Sequence, residues 1–220
     1  MKTLLRSVFS GVLVCLTLPV GPAYAADAGE EVALPLSEAI ASLLVESEDR
    51  TGYARSAFRH WVDENADGCD TRREVLLEEA VIAPTVSGTC TLTGGQWFSW
   101  YDNVVVDGVS GLDIDHMVPL AEAWDSGAAA WDAKRRERYA NDLGDPRALL
   151  AVTAKTNRSK GDRDPVDWMP PAADASCRYV ADWTAVKIRW QLSVDPAEAE
   201  ALSGTAAGCE DVVIRVELAG

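Results

Sequence analysis

An α+β fold is predicted from the way apolar residues change their period along the chain. Tyr179, Trp183, Val186 and Trp190 recur at helical spacing, whereas Val212, Ile214, Val216 and Leu218 recur at every second position as in a half-buried strand, with the polar Arg215 and Glu217 between the last three. Residues 90–106 are rich in Thr, Trp, Tyr and Val and are broken at Gly94-Gly95, which predicts a small β-hairpin. The order of these elements is that of an α+β arrangement, with no internal repeat and no low-complexity segment.

Residues 1–25 have the make-up of a signal peptide. Lys2 and Arg6 supply a basic start, an apolar run follows over 8–20, and Ala23-Tyr24-Ala25 offers a small-x-small cleavage site that would also remove Cys15. No later run approaches the ~20 apolar residues that span a bilayer, so a secreted, extracellular protein without stable membrane association is expected. Residues 26–50 read as an acidic, flexible lead-in through Leu34 and a short helix capped by Ser37, with Ile40, Leu43 and Leu44 as its apolar positions. Residues 51–220 then form one domain. Within it, a helix is expected over 53–62 with Phe58 and Trp61 on one side, and a turn at Pro84 and Gly88. Helices should begin at Leu120 and run over 130–140. A short buried strand over 148–152 leads to Thr153, which is placed to cap a helix through Asn157, and Asp195-Pro196 starts a helix that Gly204 stops.

Without the signal, Cys69, Cys90, Cys177 and Cys209 remain, an even number suited to an oxidising compartment. Three pairings are possible. The sequence-local one, Cys69 with Cys90 and Cys177 with Cys209, closes one loop in each half of the chain, each bridge contributing on the order of 3 kcal/mol. None of the four lies in a CxxC pair, so a zinc site is not indicated.

The formal net charge of −15 argues by itself against nucleic acid, whose phosphates need Lys and Arg. Its distribution argues the other way. Between Lys134 and Arg163 stand nine basic residues against four acidic ones, a positive patch in an acidic chain.

Chemistry concentrates in two segments. In Asp113-Ile114-Asp115-His116-Met117-Val118-Pro119, strand geometry sends Asp115 and His116 to opposite sides, so that one can hold a metal while the other approaches from across a phosphate. Histidine, with an ordinary pKa of about 6.5, is largely neutral at physiological pH and able to accept a proton. The other histidine, His60, has no carboxylate pattern around it. Further on, an apolar strand is followed by Thr153-Ala154-Lys155-Thr156-Asn157-Arg158-Ser159-Lys160, which puts a carboxamide, a reasonable hard-cation ligand, in the first turns of a helix.

With these two segments, and "DGCDTRREVL" upstream, the chain resembles the HNH, or ββα-metal, endonucleases. The match is to the variant with Asp-His first and Asn last, as in GmrSD-type restriction enzymes and secreted HNH family proteins. The resemblance spans roughly residues 53–209. It implies a ββα-metal core, elaborated by several helices, that hydrolyses phosphodiester bonds of DNA or RNA with a divalent cation, Mg2+ or Mn2+. It implies Asp115 and Asn157 as metal ligands and His116 as general base. The family's middle asparagine, which orients the base, falls where this chain reads Leu143-Gly144-Asp145, so Asp145 is expected to replace it, with Asn141 the neighbouring candidate. An aspartate there would raise the histidine pKa and shift activity to higher pH. Arg158, Lys160, Arg135 and Arg136 are the expected phosphate contacts, and no obligate protein partner is evident.

Asp63-x-Asn65-x-Asp67-Gly68-x5-Glu74 also fits a calcium-loop pattern, which would hold a structural Ca2+. The rival reading is therefore a secreted calcium-binding or interaction domain that has lost catalysis. In the absence of an ion, Asp70, Thr71 and Arg72 would instead support the active site.

Overall fold

A computed structural model describes residues 29–220, and the expected signal segment lies outside the described residues. Among the described residues, four two-stranded antiparallel sheets and seven α-helices surround one core. Strand β1 (Glu31–Pro35) pairs with β8 (Val213–Glu217), the last strand of the chain, in the register Val32 with Val216 and Leu34 with Ile214. From Glu31 onward the expected lead-in is thus a sheet strand rather than a flexible segment. Its partner buries Ile214 and Val216 with Leu218 beyond, as expected of that segment, whereas Val212, assigned to the same face, precedes the strand and is exposed. Helix α1 (Leu36–Ser42) follows directly, with Pro35 rather than Ser37 at its N-cap; Ser37 sits inside it and bonds Asp211 through its backbone N–H and its hydroxyl.

The helix expected over 53–62 is reduced to a single 3-10 turn at Arg55–Ala57. Phe58 returns to extended backbone and Trp61 takes a left-handed φ of +61°, which an α-helix cannot contain. Helix α2 (Thr71–Glu78), capped by the Asp70 carboxylate on the Arg73 N–H, precedes two hairpins where one was expected. These are β2 (Thr85–Ser87) with β3 (Thr91–Thr93), and β4 (Gln96–Ser99) with β5 (Val104–Asp107). Gly94 and Gly95, both at positive φ, join the hairpins rather than turn either one.

Strand β6 (Leu112–His116) pairs antiparallel with β7 (Leu149–Thr153), and helix α5 (Ala154–Lys160) follows β7 without a loop. This is the ββα unit. Between its strands run α3 (Leu120–Asp125) and α4 (Ala133–Ala140). Helix α6 (Ser176–Trp190) buries Tyr179, Trp183, Val186 and Trp190, and α7 (Pro196–Ala206), capped by Asp195, continues through Gly204 to Ala206. The disulfides are Cys69–Cys90 and Cys177–Cys209. Among the described residues no helix is long and apolar enough to cross a membrane.

The free edge of β7 is blocked by side chains: Ser99 Oγ accepts from the Thr153 N–H (3.1 Å) and the Glu79 carboxylate from the Ala151 N–H (2.8 Å), which keeps the sheet at two strands. Burial raises the Glu79 pKa from its ordinary 4.5 to about 7, against the pull of that hydrogen bond. A folded-state pKa above the unfolded one contributes stability that is fully present below about 4.5 and is lost as pH rises through about 7. Glu79→Gln keeps an acceptor and cannot ionise. It should match the wild type near pH 4.5 and exceed it at pH 8 by up to roughly 3 kcal/mol. Unfolding midpoints that run parallel over that range would contradict the assignment.

Candidate active site

The site is built at the end of β6. Asp115 and His116, its last two residues, are 5% and 7% exposed and line one cleft of about 210 Å³ with Arg55, Asn157, Arg158, Gly161 and Asp162. Thr153 ends β7 and caps α5, accepting from the Thr156 N–H, so the first turn of the helix brings Asn157 to the cleft. Lys160 is three residues further on, on the same side of the helix. Gly161, at φ +59° and ψ −128°, a conformation that suits glycine alone, stops the helix there.

One oxygen of Asp115, Oδ2, is fully engaged. It accepts from the Tyr101 hydroxyl (2.7 Å) and from Lys160 Nζ (2.5 Å), and Lys160 also donates to the His116 and Met117 carbonyls (2.9 and 2.8 Å). The Lys160 side chain is 0% exposed, so it cannot serve as the phosphate contact expected of it. Burial pushes Asp115 up and Lys160 down, and in each case the partner's charge pulls back. Asn157 Nδ2 lies 3.4 Å from Asp113 Oδ2, which directs the amide end of the carboxamide toward Asp113.

His116 Nε2 lies 3.0 Å from the Ala140 carbonyl, which can only accept, so Nε2 carries the proton and Nδ1 the lone pair. Its ring is stacked on Trp61 (5.7 Å between centroids) and Tyr139 (6.4 Å). Burial lowers its pKa to about 3; the Ala140 bond opposes this and the nearby Arg55 charge reinforces it. The upward shift expected from an aspartate partner is replaced by a downward one, because the partner is a neutral carbonyl and burial dominates.

Asn141 adjoins that carbonyl, and its side chain makes four hydrogen bonds. Its Oδ1 accepts from the Val62 N–H (3.1 Å) and the Thr71 hydroxyl (2.8 Å), while Nδ2 donates to the Arg59 and Glu137 carbonyls (2.8 and 2.7 Å). It therefore ties the loop that holds His116 to the segment that carries Trp61. Asp145 lies elsewhere: both its oxygens accept from Arg147, and it lines a separate cleft with Glu74, Glu78 and Glu79.

The basic patch is largely used internally. Arg136 donates to the Ala57, Ala128 and Trp131 carbonyls, and Arg135 stacks on Trp131 and reaches the Trp190 carbonyl. Neither is placed with the cleft residues. Arg158 is, with its side chain 74% exposed and a 3.3 Å contact to Asp113. Tyr101, Trp61 and Arg55 were not marked by any motif. Only Lys160 carried a readable signal, its position one helical turn beyond Asn157.

In the 63–74 loop, Asp63 accepts from the Asp67 and Gly68 N–H groups and Asp67 from the Cys69 N–H, and Glu74 returns on α2 beside Asn65 and Asp67. The loop has its outgoing helix, but the segment before it is not helical. Asp70 caps α2, the Thr71 hydroxyl bonds Asn141, and Arg72 donates to the Leu112 carbonyl at the start of β6, so of the three only Arg72 touches the ββα unit directly, while Thr71 holds the Asn141 side chain.

Residues 70–205 match the family model of the C-terminal domain of GmrSD restriction endonucleases. A protein of the fungus Arthroderma benhamiae described as an uncharacterized secreted protein is 42% identical over 158 residues, which cover 72% of this chain and 76% of that protein. No solved structure gives a significant match. The match takes in both strands of the ββα unit, its helix and the residues that line the cleft from Asp115 to Asp162, so the chain belongs to the family of GmrSD restriction endonuclease C-terminal domains.

Proposed function

We propose that the protein is a secreted, metal-dependent endonuclease that hydrolyses phosphodiester bonds of DNA or RNA, with His116 as general base. The observation that carries the reading is the 3.0 Å approach of His116 Nε2 to the Ala140 carbonyl: an acceptor there calls for a proton on Nε2 and leaves the lone pair on Nδ1, in a residue that lines the cleft with Asp115 and Asn157. Nδ1 takes a proton from the attacking water. Asn141 positions the base by fixing the loop that begins at Ala140, a role Asp145 is not placed to fill.

Asp115 and Asn157 would hold the divalent cation, Mg2+ or Mn2+. The donor set fits a hard cation: a carboxylate whose Oδ2 is anchored by Tyr101 and Lys160, and a carboxamide turned by Asp113. When bound, the cation neutralises charge that develops on the phosphate and on the leaving oxygen. Lys160 keeps Asp115 in one orientation. The two disulfides and the secreted relative support export, with residues 1–25 as signal peptide, 26–50 as a lead-in that closes a sheet with β8, and 51–220 as the nuclease domain.

Plasmid DNA incubated with Mg2+ should be nicked and linearised, and chelator should stop the reaction; no cleavage across several divalent metals would sink the reading. The rival, a calcium-binding domain without catalysis, is favoured only by the return of Glu74 to Asn65 and Asp67. Calorimetry with Ca2+ separates the two. Heat that Asp63→Ala abolishes belongs to this loop, and plasmid cleavage that persists in the same variant leaves the loop outside the reaction.

A further inference from the structure

We propose that Arg55 is a phosphate-binding residue of this cleft, contributed by a segment that precedes the family match; the assignment rests on the nuclease reading above. Arg55 opens the 3-10 turn before α2 and lines the cleft with Asp115, His116 and Asn157, whereas the family match begins at residue 70. It is exposed, and among the described residues its guanidinium is in no ion pair. Its neighbours in sequence are committed: Arg50 to Asp125 (2.5 Å) and Arg59 to Glu137 (3.2 Å).

The backbone that presents Arg55 is fixed from both sides. The buried Phe58 ring packs edge-on against Trp124 and Tyr139, and its N–H bonds the Arg55 carbonyl. Arg136 holds the Ala57 carbonyl, and Asn141 holds Arg59 and Val62. Such anchoring lowers the ordering cost of presenting the side chain to a ligand.

The ligand class follows from charge. Asp113, Asp115 and Asp162 crowd this end of the ββα unit, and a phosphodiester entering there meets like charges. With Lys160 buried on Asp115 and Arg158 partly held by Asp113, Arg55, which hydrogen-bonds the neutral Tyr53 side chain, is the cation at the cleft without a carboxylate partner. Its planar fork suits two phosphate oxygens at once.

The test measures binding apart from cleavage. In a His116→Gln background with Mg2+, the affinity for a fluorescein-labelled oligonucleotide is followed by anisotropy over a salt series, with and without Arg55→Ala or Arg55→Lys. Arg55→Ala should weaken binding by about tenfold or more and lower the log–log salt slope by about 1, while Arg55→Lys keeps the slope. Unchanged affinity and slope in Arg55→Ala, in a protein whose wild type cuts plasmid, overturns the assignment alone. A wild type that neither binds nor cuts overturns the nuclease reading and takes the assignment with it.

Discussion

Replacing His116 by alanine should lower the rate of plasmid cleavage by on the order of 100-fold or more, the usual contribution of a positioned general base. The residue is also part of the core, with Trp61 and Tyr139 on its ring and the Ala140 carbonyl on Nε2, so truncation leaves a cavity and an unpaired acceptor. His116→Gln separates the two effects, since it keeps a donor and much of the volume but offers no basic nitrogen. Both variants should be comparably inactive, with the glutamine form nearer the wild type in unfolding midpoint. Cleavage by His116→Gln within a few-fold of wild type would remove the imidazole from its role.

The second large effect is expected at Lys160. Its ammonium has a carboxylate and two carbonyls as partners and no contact with solvent. Lys160→Met leaves Asp115 charged, buried and held only by Tyr101, and breaking such a pair typically costs about 3–5 kcal/mol. Adding Asp115→Asn removes the stranded charge and should recover much of that stability in denaturant unfolding. Activity should be absent from the double variant, because the carboxylate proposed to hold the cation is gone. If the single and double variants are equally unstable, the ion pair is not what the lysine contributes.

The parts of the cleft that could be read from the sequence were those whose placement follows from local geometry. Asp115 and His116 are adjacent on one strand, and Asn157 follows a strand whose last residue, Thr153, caps its helix. Both disulfides followed from loop closure. What was misjudged depended on partners far along the chain. Lys160 and Arg136 look like surface charges until the carbonyls that receive them are known, and these come from residues 116–117 and from 57, 128 and 131. Asn141, offered beside Asp145 as the candidate that orients the base, is positioned by reaching Val62 and Arg59 rather than by its distance from β7, which spacing along the chain does not reveal. Trp61, with an apolar side chain at helical spacing from Phe58, mimics a helix; its left-handed backbone is imposed by packing on His116 and by Asn141 holding its neighbour.

The antiparallel match between residues 31–35 and 213–217 has a bearing on the order of folding. Strands separated by about 180 residues must meet before either gains a partner, and the entropy of closing so long a loop is lost before the ladder rewards it. This pairing should therefore zip up late, on a body that the ββα unit and its helices have already gathered.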